Sequence, residues 1–156
     1  MKKIFIGFAL TFLLLGCTDG EETEKASPHN GHQINGDLRE ETAVEELPQF
    51  LDHYSDTIAD IYSRAVHYED VLVHIPCYCG CGEFVGHRHT YDCFIYEREE
   101  ESVVWDDHGA KCGVCLEIAH MSMVLTDQGL SVDEIRQIVD DAYQQGYPEP
   151  TPTPVL

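Results

Sequence analysis

Hydrophobic positions follow several rhythms along this 156-residue chain. Behind Lys2 and Lys3, residues Ile4 to Leu15 form an unbroken apolar run. Leu51, Tyr54, Ile58, Ile61, Tyr62 and Ala65 then recur at three- and four-residue intervals, the period of an amphipathic helix. Tyr68, Val71, Leu72 and Ile75 repeat that spacing and predict a second helix or a continuation of the first. Pro76 disfavours helical geometry at Ile75 and opens a loop. Between residues 83 and 110, short apolar runs such as Cys93-Phe94-Ile95-Tyr96 mix with glycine and charge, and no period emerges. A wide apolar face returns from Cys112 to about Asp127 through Cys115, Leu116, Ile118, Ala119, Met123 and Val124, with Gly129 as its stop. Ser131 and Glu134 form a capping-box pattern ahead of Ile135, Ile138, Val139 and Ala142. That last helix is expected to end near Gly146, before Pro148. The pattern predicts a mostly α fold, a small single domain with an irregular cysteine-rich loop.

The first apolar run is too short for a comfortable membrane span and fits the h-region of a signal peptide. It ends in Leu14-Leu15-Gly16-Cys17, which resembles the lipobox of bacterial lipoproteins. That resemblance implies cleavage before Cys17, lipidation of Cys17, and a protein held by acyl chains on the extracytoplasmic face of the cell membrane. An ordinary secretory signal with a stray cysteine is the plainer alternative. On this reading residues 1–16 are a lipoprotein signal peptide and residues 17–46 a flexible lipid-anchored linker. Residues 47–147 form the folded domain, and residues 148–156 are a Pro-rich disordered tail, extended and free. His29 and His32 read as linker residues. Removing Lys2 and Lys3 with the signal takes the formal charge from −20 to −22. So acidic a chain is no partner for nucleic acid, whose phosphates require Lys and Arg.

Chemistry concentrates in Pro76-Cys77-Tyr78-Cys79-Gly80-Cys81-Gly82. In an extended segment residues i and i+2 point the same way, so these three thiols can share one face. Gly80 and Gly82 permit the tight backbone that would gather them. Cys93, Cys112 and Cys115 follow in the same domain. Cys112 and Cys115 stand at i and i+3 where a helix begins, and a helix N-terminus favours the thiolate. Three readings stay open: a metal centre, three structural disulfides, or a redox pair in Cys112-Gly-Val-Cys115. Disulfides suit an extracytoplasmic compartment and an even count, but all three loop cysteines would need distant partners. The redox reading lacks a strand ahead of Cys112, the strand–CxxC–helix context of a thiol oxidoreductase.

The heptapeptide matches the signature of the PCYCGC-motif lipoproteins, and Asp92-Cys93-Phe94 and Cys112-Gly113-Val114-Cys115 resemble that family's downstream cysteines. The likeness covers roughly residues 47–147 and the lipobox. It implies an extracytoplasmic, lipid-anchored domain and carries no mechanism with it.

Metal identity then rests on ligand chemistry. Six cysteines with His87 or His89 exceed a single zinc site, so zinc would leave spare thiols or need two sites. Copper(I) is soft and accepts thiolate, which places copper ahead of zinc. The expected ligands are Cys77, Cys79, Cys81, Cys93, Cys112 and Cys115, with His87 or His89 supplementary. Trp105 is expected in the core, with Asp106 and Asp107 facing water; a second role for these acids or for His108 beside the metal is the alternative. His120, Met121 and Met123 read as helix packing, and Glu97 to Glu101 as a solvated charge run. No phosphate loop, His-Glu-x-x-His helix or serine nucleophile setting occurs. A metal fully ligated by protein serves binding, storage, transfer or structure, not turnover. A metal donor or acceptor protein is the partner this implies, besides the membrane.

Overall fold

The computed structural model describes residues 32–34 and 36–155. The expected signal peptide, Cys17 and the first part of the linker lie outside the described residues. Strands β1 (His32–Ile34), β2 (Asp37–Ala43), β3 (Ile95–Arg98) and β4 (Ser102–Asp106) form an antiparallel sheet in the order β1-β2-β4-β3. Six helices accompany it among the described residues: α1 (Asp56–Ala65), α2 (Glu69–Leu72), α3 (Cys81–Phe84), α4 (His108–Lys111), α5 (Gly113–Asp127) and α6 (Val132–Tyr143). Two 3-10 segments, Gln49–His53 and Thr90–Cys93, complete the chain. About half of the described residues are helical. The expectation of a mostly α domain is therefore corrected to a mixed one, built on a small sheet.

The strands explain the difference. In β4, Val103 and Trp105 alternate inward and are buried, the period-two signature of a half-buried strand. In β2, Asp-Leu-Arg-Glu-Glu-Thr-Ala has the composition of a tether, yet its charges are matched by remote groups. Arg39 pairs with Asp106 at 3.0 Å, and the Glu40 carboxylate accepts from the Gln49 and Phe50 backbone N–H groups at 2.7 and 3.2 Å. The linker assigned to residues 17–46 thus contains a strand of the domain.

Helices α5 and α6 stand where the apolar spacing places them. Ser131 and Glu134 form both bonds of the capping box, and Gly129 adopts φ +88° after α5. The second expected helix contracts to the four residues of α2, and α6 ends at Tyr143. Tyr62 on α1 is fully buried against Phe50, Phe94 and Trp105. Its hydroxyl donates to the Asp106 carbonyl at 2.7 Å and accepts from the Ala110 N–H at 2.9 Å. One side chain so fixes the end of β4 to α4, the segment that carries His108.

The tail is not free. Thr151 is buried, its N–H donating to the Cys77 carbonyl and its hydroxyl accepting from the Cys77 N–H, each at 2.9 Å. Arg136 of α6 donates to the Pro154 carbonyl at 2.7 Å. The extended chain expected from its prolines is present, and it is strapped over the cysteine loop.

Candidate metal centre

The cysteine loop is held at both ends. The Thr90 N–H donates to the Ile75 carbonyl at 2.9 Å, tying the loop's start to the segment that carries Cys93, and Thr151 pairs with Cys77. Gly80 has φ +89°, a conformation that L side chains rarely adopt, and turns the chain into α3 with Cys81 at its head. The Cys81 carbonyl then accepts from the N–H groups of Val85, Gly86 and His87 at 3.0, 3.0 and 3.3 Å. This turn brings the His87 ring back beside the Cys81 sulfur.

The six thiols are free and converge. Cys77 Sγ lies 3.5 Å from both Cys79 Sγ and Cys115 Sγ, and Cys115 Sγ lies 3.4 Å from Cys79 Sγ. Cys79, Cys112 and Cys115 place their sulfurs within 4.8 Å of one another. Cys81 Sγ and Cys93 Sγ are 3.7 Å apart, and with ring nitrogens of His87 and His108 they form a second group within the same limit. Cys77 also groups with Cys79 and Cys81, and with Cys93 and Cys115, so its sulfur stands between the two ends. These separations are well beyond an S–S bond of about 2.05 Å. They approach the edge of about 3.8 Å that a tetrahedron of sulfurs has around an ion bound at about 2.3 Å.

His108 is the donor that sequence reasoning gave at most a supporting part. Its Nε2 lies 3.6 Å from Cys79 Sγ, and its Nδ1 lies 3.2 Å from the Asp37 carboxylate. Asp37 also takes Lys111 Nζ at 2.7 Å. The signal available in sequence was a histidine four residues ahead of Cys112, on the turn that leads into the Cys-x-x-Cys helix. Asp106 and Asp107 do not face water: both are buried, Asp106 bonded to Arg39 and to the His108 N–H, Asp107 to the Leu38 N–H. Trp105 is in the core as expected. Strand β4 does precede Cys112, contrary to the expectation, although α4 intervenes.

His87 and His89 part company. His87 is buried, its two ring nitrogens have no hydrogen-bond partner, and its ring packs edge-on against His108 with centroids 4.8 Å apart. His89 belongs to none of the sulfur groups; its Nδ1 faces Asp92 at 3.5 Å. Of the other residues considered, Met123 is buried in the core and His120 is exposed.

Charge on the sulfurs is unevenly spread. Hydrogen bonding from Cys115 holds Cys77 down at about 4, and bonds from Cys112, Cys115 and Cys77 lower Cys79. Cys81 is raised by Cys77 and Cys79, Cys115 by Cys112, Cys77 and Cys79, and Cys93 by Cys115 and Cys77. Hydrogen bonding within the cluster thus favours charge on Cys77 and Cys79 and opposes it on their neighbours. Burial lowers His87, leaving it the neutral imidazole that ligates metals. His108 is held up at about 9 against its burial, by Cys79 and then by the Asp37 charge. Full ionisation of so crowded a set requires positive charge at its centre, which a bound metal supplies as it releases the protons. The residues fit a metal: a buried imidazole with two unpartnered nitrogens is costly unless something takes it up.

A fold of mixed strands and helices closed around a cysteine- and histidine-rich centre is the class these features define. The model of the family described as "Protein of unknown function with PCYCGC motif" matches residues 6–156, and the chain belongs to that family. No curated protein and no solved structure matches it.

Proposed function

We propose that this protein binds soft, thiophilic metal ions as a lipid-anchored domain on the extracytoplasmic face of a bacterial membrane. The observation that carries the reading is His87, buried with both ring nitrogens unpartnered beside sulfurs that converge without bonding to one another. Copper(I) is the ion proposed as cargo. Thiolate is its preferred donor, and the Cys77 sulfur, within reach of both ends of the cluster, suits the shared thiolates of a soft-metal cluster. Zinc is the second reading, supported by a specific feature: Cys81, Cys93, His87 and His108 form a group of four donors that suits a tetrahedral ion. Handling of the metal, by receiving it from or passing it to another envelope protein, is the role proposed for such a site.

The test is elemental analysis with thiol titration on full-length protein purified without oxygen. Bound copper, or zinc, with the six thiols protected until the metal is stripped, is the expected result. Six oxidised sulfurs and no metal would establish the disulfide-stapled alternative instead. Replacing Cys17 with serine is expected to move the protein from the membrane to the soluble fraction; retention in the membrane rejects the anchor.

A further inference from the structure

We propose that the centre is a two-ion site with unlike halves. One ion is held by Cys77, Cys79, Cys112 and Cys115, the other by Cys81, Cys93, His87 and His108. This rests on the metal-binding reading above and adds to it a count, a division of donors, and His108 as a ligand.

Geometry sets the count. A tetrahedral ion such as zinc takes four donors of this kind and reaches only about 2.3 Å to each sulfur. Eight donors therefore cannot serve one ion, and a single-ion centre would leave four behind. Those left would include either the buried His87 nitrogens or the sulfurs packed against Cys77, at the desolvation cost that makes such groups rare. The division follows from the contacts. Cys79, Cys112 and Cys115 form one mutual group, and Cys77 closes it at 3.5 Å from two of them. Cys81, Cys93, His87 and His108 form the other.

The histidine half has its own orienting contact. The Asp37 carboxylate faces His108 Nδ1, which directs Nε2 towards the sulfurs, the carboxylate–histidine arrangement that fixes the ring of a metal ligand. Asp37, His87 and Asp106 also approach one another, but Lys111 and Arg39 occupy those carboxylates and no third ion is assigned there. The halves differ in exposure as well as in donors. Cys79 and Cys112 are half-buried in one half, where Cys77 and Cys115 are buried, and His108 alone is half-buried in the other.

Cadmium-113 is the probe that separates the halves, since its resonance frequency reports how many sulfurs and nitrogens bind it. Full-length, detergent-solubilised protein, reduced and stripped of metal, is titrated with cadmium and followed by NMR. Two ions per chain and two resonances are expected, one in the range of four sulfurs and one in the range of two sulfurs and two nitrogens. His108→Ala is expected to abolish or shift only the second, and Cys112→Ser only the first. Circular dichroism establishes that each variant is folded, and the wild-type count needs no variant. One ion and one resonance in the wild type would overturn the two-ion centre and leave metal binding standing. No bound cadmium, copper or zinc would overturn both.

Discussion

The Asp37 carboxylate and the His108 imidazole meet at 3.2 Å across 71 residues of sequence, joining the first long strand to the short helix that leads into the Cys112–Cys115 pair. Lys111 completes the arrangement by pairing with both Asp37 and Asp107 at 2.7 Å. Asp37→Asn keeps the side chain's shape and removes the charge that orients His108. We expect a 10- to 100-fold loss of affinity at the histidine half, the usual effect of losing such a partner. Competition against a chelator of known affinity measures it, and an unchanged affinity would show that the imidazole is held without Asp37.

Gly109 is required by a close approach. A Cβ there would lie 2.6 Å from Phe94 Cε1 and 2.9 Å from the Cys93 carbonyl. Gly109→Ala must push α4 away from the core, moving His108 with it. Overpacking of this kind costs on the order of 1–3 kcal/mol. Urea unfolding of the metal-free protein reads that loss, and metal titration reads the displacement of His108. A variant as stable as the wild type would contradict the packing described.

Thr151 gives the cysteine loop a partner it would otherwise lack. Thr151→Val retains the backbone bond to the Cys77 carbonyl but removes the hydroxyl that accepts the Cys77 N–H. A buried N–H left unpaired costs about 1–3 kcal/mol. Lower thermal stability and faster release of metal to an added chelator are expected together, because the same loop holds three of the sulfurs. Unchanged release kinetics would confine the strap to a structural part.

Acid sensitivity follows from Asp92. Burial alone would raise its carboxyl, but side-chain and backbone hydrogen bonds from Arg88 hold it below its ordinary 3.8. A group lowered on folding stabilises the protein above its unfolded value, and that contribution disappears as pH falls through the folded value. Arg88→Ala leaves the backbone bond and the burial, so the folded value rises and the contribution shrinks. The acid-unfolding midpoint of the metal-free variant, followed by circular dichroism, is expected at higher pH than that of the wild type. An identical midpoint would show that the exposed Arg88 guanidinium does little for Asp92.

What could be read from sequence was the part decided by local pattern. Helix α5 carries a broad apolar face and α6 a capping box, both features of neighbouring residues. The thiols were equally legible, because three sulfurs in five residues and a Cys-x-x-Cys pair announce themselves without a fold. Strand β2 was hidden because Arg39 and Glu40 find their partners at Asp106 and near Phe50, far along the chain. His108 was obscured for the same reason: its significance comes from Asp37 and Cys79, neither of them a sequence neighbour. The tail resembled free linker, since its threonines are ordinary polar residues until the Cys77 backbone is placed beside them.

The spacing of the donors gives a bound ion a second role. Cys81 and Cys93 are 12 residues apart, and Cys77 and Cys115 are 38. An ion gripping such pairs closes loops of those lengths in the way a covalent bridge would, and restricts the unfolded ensemble as it does so. Loading with metal and completion of the fold then become one equilibrium. Without the proposed metal, the domain would be left with a crowd of buried sulfurs and a weaker grip on its own chain, and would become a better target for proteases. The abundance of the protein would in that way follow the supply of the ion proposed for the site.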